Sequence, residues 1–365
     1  LHPIQTEAIA YVFARSTLLM ALFSLLALDF WTRGRHWIAV LAHGAALLAK
    51  EEAVAFPLAL SVLQLAISRD HRAWKPIGAM FLASLALGLR GLLIASATTG
   101  AGAAAGSTVR PLDYLYAQGD SISAYFVKLV LPWTLNFDAD LHPSWCGWIF
   151  LGAVLLAAAK YAPRPYWLLM LLAFLAPSSS ILPLDDLHAE RRFYLPLLAL
   201  AGALAPKLNV RAVWFLATLL AILSFQRAQV FRTEETLWRD TFAKSPQKMR
   251  PRLQLARAVT PAEAIALLEP VRTQAPSELA RSYLDAQRPA EALTLFGEVL
   301  AREPRSPSAI TNRGVALAAL GQTDAARADF ERALSIDSCF SSARDNLARL
   351  GGTPPPCRAT SSPLR

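Results

Sequence analysis

Up to about residue 228 the sequence is a succession of apolar segments separated by charge, and this alternation constrains the fold more than any motif. The segments fall at 11–31, 37–49, 53–68, 76–97, 146–160, 164–177, 193–206 and 211–227. The whole chain is 54% hydrophobic and only 17% charged, whereas ordinary globular chains hold about 25% charged residues. The pattern predicts an all-α fold with a polytopic membrane domain of about eight spans over 1–228. Several segments are shorter than the ~20 residues a straight span needs, so short or jointly packed helices are expected. The rest of the chain is charged, Ala-rich and helical in pattern, which predicts a second domain over 229–350. The terminal run "GGTPPPCRATSSPLR" at 351–365 lacks the apolar content to fold and is expected to be disordered. Leu1 opens the chain inside a motif-like segment, so further spans are expected to precede it.

Charge then orients the spans. The net charge of +9 is spread evenly: residues 1–228 hold 17 Lys/Arg against 12 Asp/Glu, and residues 229–365 hold 19 against 15. No basic face is concentrated enough for nucleic acid. Basic loop clusters favour the cytoplasmic side, and "TRGRHW" (32–37), "SRDHRAWK" (68–75), "KYAPR" (160–164) and "KLNVR" (207–211) are such clusters. The outer face then receives "HPIQTE" (2–7), "KEE" (50–52), the 98–145 segment, "DDLHAERR" (185–192) and everything after the last span. The segment "SISAYFVKLVLPW" (121–133) contains Lys128 and is too short for a span, so it reads as an interfacial or re-entrant helix on that face. Cys146, Cys339 and Cys357 form no metal-binding or CxxC spacing. Cys339 and Cys357 are placed either to bridge in an oxidising compartment or to stand as two thiols.

The second domain carries a period. In "SAITNRGVALAALGQTDAARADFERALSID" (308–337), Gly314, Leu317, Gly321, Ala326, Phe330, Ala333 and Leu334 occupy tetratricopeptide positions. Thirty-four residues earlier, Ala292, Phe296 and Leu300 stand where Ala326, Phe330 and Leu334 stand. A shorter copy, "RLQLARAVTPAEAIALLEPV" (252–271), completes about three repeats, which is about the minimum for a stable array. The segment 234–246 is expected to supply a helix coupling the array to the membrane. These repeated residues are packing residues. Function in such an array lies in its concave surface, which takes a peptide or protein.

Ionisable groups gather on the predicted outer face. Glu7 and Arg15 are eight residues apart, a spacing that puts them on one helix face. Lys50, Glu51 and Glu52 fill a break between helices. Asp138, Asp140 and His142 follow "LPWTLNF". Asp185, Asp186, His188, Glu190, Arg191 and Arg192 precede an apolar run, and Arg90 lies inside another. Convergent charge at a bilayer is costly and points to a site. Each member also has a plain structural reading: an ion pair between helices for Glu7 and Arg15, a cap for Lys50 and Glu51, an interface anchor for Arg191 or Arg192, solvated acids for the aspartates, and a snorkelling cation for Arg90. As a site, the sign pattern suits a phospholipid-linked substrate. Arg and Lys would clamp the phosphate, and a carboxylate would serve as base toward an acceptor hydroxyl.

Four stretches resemble one family. "HPIQTEAIAYVFARSTLL" (2–19), "LLAKEEAVAFPLALSVLQL" (47–65), "LPWTLNFDADLHP" (131–143) and "PSSSILPLDDLHAERRFYLPLLALAG" (177–202) are similar, in this order, to segments of the transmembrane and tetratricopeptide-repeat O-mannosyltransferases and their bacterial relatives. The resemblance runs over essentially the whole chain. It implies a GT-C type membrane glycosyltransferase in a bacterial inner membrane, with its active site and repeats on the periplasmic side. The donor it implies is a polyprenyl-phosphate sugar, and the acceptor is a protein hydroxyl. The family's catalytic acid lies in a first outer loop that would precede Leu1, so it has no counterpart here. The residues carried over are Glu7, Arg15, Lys50, Glu51, Glu190 and Arg191, with Arg90 and Arg192 added as substrate-binding candidates from the charge pattern. Glu190 is the catalytic candidate within the chain. "PLDDLHAERR" carries extra charge and "SSS" stands where the family has Ser-Asn. No metal ligand set is read.

The expected function is inverting sugar transfer to a protein recruited by the repeats, with membrane lipid, the lipid-linked donor and an acceptor protein as partners. Two alternatives stay open. One is a non-enzymatic, membrane-tethered repeat scaffold for envelope assembly. The other is an oligosaccharide ligase using a pyrophosphate-linked donor.

Overall fold

The computed structural model describes residues 2–11, 14–67, 71–97, 110–141, 143–161, 166–179, 186–204 and 209–357. They form an all-α chain that divides into two compact units, Leu1–Ser245 and Pro246–Arg365. The expected boundary at 228/229 moves to 245/246. The reason is the helix Glu234–Lys244, which the capping box of Thr233 and Thr236 starts and which packs back onto the preceding helix within the first unit.

The first unit contains α1 (Thr6–Ala10), α2 (Arg15–Thr32), α3 (His36–Ala49), α4 (Phe56–Ile67), α5 (Trp74–Ala97), α6 (Pro111–Val130), α7 (Cys146–Tyr161), α8 (Tyr166–Leu175), α9 (Pro196–Leu204), α10 (Val210–Val230) and α11 (Glu234–Lys244). Each of the eight apolar segments coincides with a helix. α2 and α3 form a hairpin whose turn needs a left-handed residue, supplied by Gly34 at φ 74°. α4 packs on α8, α8 on α9, α6 on α7 and α3 on α5. Their buried faces merge into one core that includes Met20, Phe56, Met80, Tyr125, Phe174 and Phe193.

Among the described residues, two helices are long and apolar enough to cross a membrane, α2 and α10. The expectation of about eight spans is not met by length. α3, α8 and the Cys146–Ala157 part of α7 are apolar but hold 10–17 residues, and a helix rises ~1.5 Å per residue against a hydrocarbon core ~30 Å thick. Polarity in this unit is turned inward. Buried Trp31 donates to Gln64 Oε1 at 3.2 Å, and buried His43 and Ser84 are hydrogen-bonded at 3.1 Å. Apolar side chains point outward on α2, α3, α5, α7 and α10. On α10 only 6% of the apolar stretch is buried, and Trp214 is 70% exposed.

The segment expected to be a short helix at 121–133 belongs to a longer one. α6 starts at Pro111, whose missing N–H and fixed φ suit a first helical position. One side of α6 carries Tyr114, Gln118, Ser121, Tyr125 and Lys128, all buried and spaced three or four apart.

The second unit is built from the pairs α12 (Met249–Ala258) and α13 (Pro261–Leu268), α14 (Pro276–Asp285) and α15 (Pro289–Arg302), and α16 (Pro307–Ala319) and α17 (Thr323–Ile336), followed by α18 (Ser341–Arg349). Four of these helices begin with Pro after a short turn. Ala292, Phe296 and Ala316 pack in one core cluster, and Ala326, Phe330 and Leu334 in the next. A Cβ on Gly314 would lie 2.6 Å from the Phe330 ring, so glycine is what lets α16 and α17 cross this closely. The only large apolar residue in this unit recorded as exposed, among the described residues, is Leu320.

The tail expected to be disordered is ordered as far as Cys357. Cys339 and Cys357 form a disulfide, with Cα atoms 4.7 Å apart across 18 residues. Arg327 donates to Leu350 O at 2.9 Å, Gly352 N–H to Leu347 O at 2.9 Å, and Arg344 to Ser338 O at 3.0 Å and to Pro355 O. The strap lies over buried Leu347, to which α18 alone offers no second helix.

Candidate functional site

The buried charges of the first unit centre on the short 3-10 turn Glu190–Phe193 that precedes α9. Ala189 is extended before it, so the three consecutive charges Glu190, Arg191 and Arg192 turn inward within one tight loop. Glu190 is 1% exposed. Its Oε1 accepts from Lys128 Nζ at 2.8 Å and from the Asn136 backbone N–H at 2.6 Å. Its Oε2 faces Arg227 Nη2 at 3.7 Å, beyond hydrogen-bond reach. Lys128 Nζ also lies 2.8 Å from His188 Nε2, and His188 Nδ1 is 3.0 Å from Ser121 Oγ. The polar side of α6 therefore ends in Lys128, which points at Glu190.

Arg191 turns the other way. Its Nη1 donates to Glu7 Oε1 at 2.6 Å, its backbone N–H to Glu7 Oε2 at 3.0 Å, and its Nη2 to Asp186 Oδ2 at 2.9 Å. Burial pushes the Glu7 carboxyl up, Arg191 pulls it down and nearby Glu190 pushes it up again, leaving it above the ordinary glutamate value. Burial works against the charged form of Arg191, but Glu7 and Asp186 outweigh it and raise its pKa. Both Glu7 oxygens accept from Arg191. Arg192 is buried, and its Nη2 donates to Asp186 O at 2.9 Å while Nη1 has no hydrogen-bond partner among the described residues.

A third arm comes from α10 and α11. Arg227 Nη1 donates to Asp240 at 2.8 Å, and Lys244 Nζ reaches Asp240 at 2.8 Å and Leu135 O at 2.7 Å. The Arg227 guanidinium lies over the Phe231 ring at 5.2 Å. Asn136 Nδ2 and the Asp140 N–H both donate to Ser245 Oγ, at 2.8 and 3.2 Å. The loop after α6 is thereby tied to the end of α11.

The sequence-derived candidates divide accordingly. Glu7, Arg191 and Arg192 gather with Asp186 in one cluster, and Glu190 and His188 meet at Lys128 in a second. Lys50 is partly buried and bonds Thr17 at 2.9 Å and Glu52 at 3.0 Å. Glu51, Arg15 and Arg90 are exposed. Glu7 and Arg15 do not share a helix face, because α1 ends at Ala10 with Tyr11 extended and α2 begins at Arg15. Asp138 is buried beside Asn136. His142 and Asp185 lie outside the described residues. Sequence reasoning missed Asn136 and Arg227 beside Glu190, and Asp240, which bridges Arg227 and Lys244. It treated Lys128 as a mark against a span, although Lys128 ends a polar stripe at 118, 121, 125 and 128. Among the described residues no group of three or more His, Cys, Asp or Glu is placed to hold a metal ion.

Residues 277–338 match the tetratricopeptide repeat family, so the second unit contains tetratricopeptide repeats. No curated protein matches the chain. A solved structure described as "Crystal Structure of P58(IPK) TPR Domain at 2.5 A" is similar over 91% of this chain and 97% of its own, at 16% identity and a TM-score of 0.25.

Proposed function

We propose that the chain acts in a membrane glycosyltransferase: the helical unit takes a sugar from a polyprenyl-phosphate carrier, and the repeats recruit the acceptor protein. The observation that carries this reading is the half-engaged Glu190. One carboxylate oxygen is held by Lys128 and the Asn136 N–H, and the other faces Arg227 without a hydrogen bond. A carboxylate fixed through one oxygen and open at the other suits a base acting on an acceptor hydroxyl. A neighbouring guanidinium suits stabilisation of a leaving phosphate. The membrane setting draws support from the inward polarity of the first unit and from bare α10, because a patch this apolar is not kept against water without purpose. The disulfide favours an oxidising compartment for the repeats, in keeping with a periplasmic face.

The test is transfer of labelled sugar from polyprenyl phosphate to protein by the full-length enzyme in vesicles. Glu190→Gln should lower the rate by roughly 10²–10⁴. A rate equal to wild type would remove Glu190 from the chemistry.

A second reading, a membrane-tethered repeat scaffold, is favoured by the closed pairing of Glu7 with Arg191 and by the protein-binding character of tetratricopeptide repeats. It expects the network to tolerate charge-neutral replacement without loss of function, while changes on the repeat surface abolish it.

A further inference from the structure

One face of α6 holds an imidazole at three points. Ser121 Oγ lies 3.0 Å from His188 Nδ1, the Tyr125 ring stacks on the imidazole with centroids 4.4 Å apart, and Lys128 Nζ lies 2.8 Å from Nε2. All four residues are buried, and positions 121, 125 and 128 share a helix face by their spacing of four and three. Tyr125 is itself fixed, because its hydroxyl donates to Ala189 O at 2.8 Å and Phe193 stacks on its ring. Both nitrogens of His188 are therefore engaged and its ring is covered.

The chemistry of the donors places the proton. An ammonium has three donors and no acceptor, and Lys128 also donates to Glu190 Oε1 at 2.8 Å. His188 Nε2 must then accept, which puts the single ring proton on Nδ1 and makes Ser121 Oγ its acceptor. An imidazolium here would turn an N–H toward the ammonium, with no acceptor between two like charges. A lysine ammonium is a point charge on a flexible stem. Held by Glu190 alone, it could bridge both carboxylate oxygens. The second anchor at His188 Nε2 gives it one place, and Glu190 Oε2 is left facing only Arg227, at 3.7 Å.

We propose that His188, as the neutral tautomer protonated at Nδ1, is a positioning residue for Glu190: it holds Lys128 on Oε1 and keeps Oε2 open to an acceptor hydroxyl. The identity of that hydroxyl rests on the transferase reading; the hold on Lys128 does not.

The test uses the full chain in neutral phosphatidylcholine nanodiscs, isotope-labelled for solid-state nitrogen and carbon NMR. Signals of His188 and Glu190 are assigned by their loss in His188→Gln and Glu190→Gln. At neutral pH, His188 should show a protonated Nδ1 and a bare Nε2 correlated with the Lys128 ammonium. A doubly protonated ring, or a proton on Nε2, overturns the proposal. His188→Leu removes the acceptor and should shift the Glu190 carboxylate signal. His188→Gln, whose amide oxygen reaches the place of Nε2, should bring that signal back. His71→Gln, exposed in the turn before α5, should leave it where it is. With polyprenyl-phosphate mannose as the donor probe, His188→Leu should lower kcat by roughly 10²-fold, the effect of misplacing a reacting group by about an ångström. The donor KM should stay as it is, and His188→Gln should restore most of the rate. An unmoved carboxylate signal in His188→Leu, or equal losses in the Leu and Gln variants, would reduce His188 to a packing residue and overturn the proposal. Absence of transfer by the wild type would count against the transferase reading, while the spectra would still decide the hold on Lys128.

Discussion

Lys128 and Glu190, 62 residues apart, meet at 2.8 Å with side chains 7% and 1% exposed. A pair this deep gains little net stability from its attraction, because both ions lose hydration. Breaking it from one side is another matter, since the surviving Glu190 keeps its charge and loses its hydrogen-bonded counter-ion, with only Arg227 Nη2 left at 3.7 Å. Lys128→Met should therefore destabilise the first unit by about 3–5 kcal/mol. The double variant Lys128→Met with Glu190→Leu should recover most of that loss. Chemical denaturation of both variants in detergent checks the pair, and a double variant as weak as the single one would count against it.

How much of this was legible beforehand depends on range. Apolar content shows where helices form, and a helix forms in each of the eight apolar segments. The buried side of α6 at Gln118, Ser121, Tyr125 and Lys128 also follows the 3.6-residue period, but a reading that weighs apolar content passes over it. The 34-residue period likewise located Phe296 and Phe330 in successive core clusters. Neither period says which face meets which. Glu7 was read with Arg15, eight residues on, but it pairs with Arg191, 184 residues away. Arg227 carries no signal of its own in the sequence, because only the return of α11 brings Asp240 and Lys244 to it. Length was the other gap. Apolar composition is read directly, but the end of a helix depends on turns, and α8 stops at the turn after Leu175.

The repeat period also locates a strained residue. Gln287 follows α14 at φ 59°, and 34 residues later Gly321 follows α16 at φ 77°. In both turns the following N–H returns to the helix: Arg288 to Tyr283 O at 2.8 Å, and Gln322 to Leu317 O at 2.9 Å. The left-handed conformation costs a residue with a Cβ about 1–2 kcal/mol, and glycine escapes this at some cost in chain entropy. Gln287→Gly should thus stabilise the second unit, by about 0.5–1 kcal/mol. A thermal midpoint that falls would show that the Gln287 side chain contributes more than the strain removes.

Alkali should act on one contact in the repeats. Tyr283 on α14 donates its phenol proton to Glu269, and this hydrogen bond raises the phenol above the ordinary value of 10.0, with burial and the glutamate charge adding to the effect. A folded-state pKa above the unfolded one gives stability that is whole below the unfolded value and lost as pH rises through the folded one. Stability of this unit should be level on this account up to about pH 10 and then decline. Glu269→Gln should bring the Tyr283 titration down toward 10.0, read as phenolate absorbance, and narrow the pH interval of the decline. An unchanged titration would show that the hydrogen bond does not set the shift.

The last helix depends on a covalent bond. Among the described residues no helix follows α18 to cover Leu347, which is 1% exposed, and the strap from Gly351 to Cys357 lies against it. Gly352 N–H bonds Leu347 O, and the strap is closed by the disulfide to Cys339. Cross-linking a loop of about this length restricts the unfolded chain by about 3 kcal/mol in the chain-entropy account. Reduction, or Cys357→Ser, should remove about 2–3 kcal/mol and should act locally. Hydrogen exchange should rise across residues 341–357 and not in α14 or α15, whose contacts do not involve the strap. Uniform acceleration over the whole unit would mean that the repeats unfold as one cooperative block; no acceleration would mean that the hydrogen bonds of Arg327 and Arg344 hold the strap by themselves.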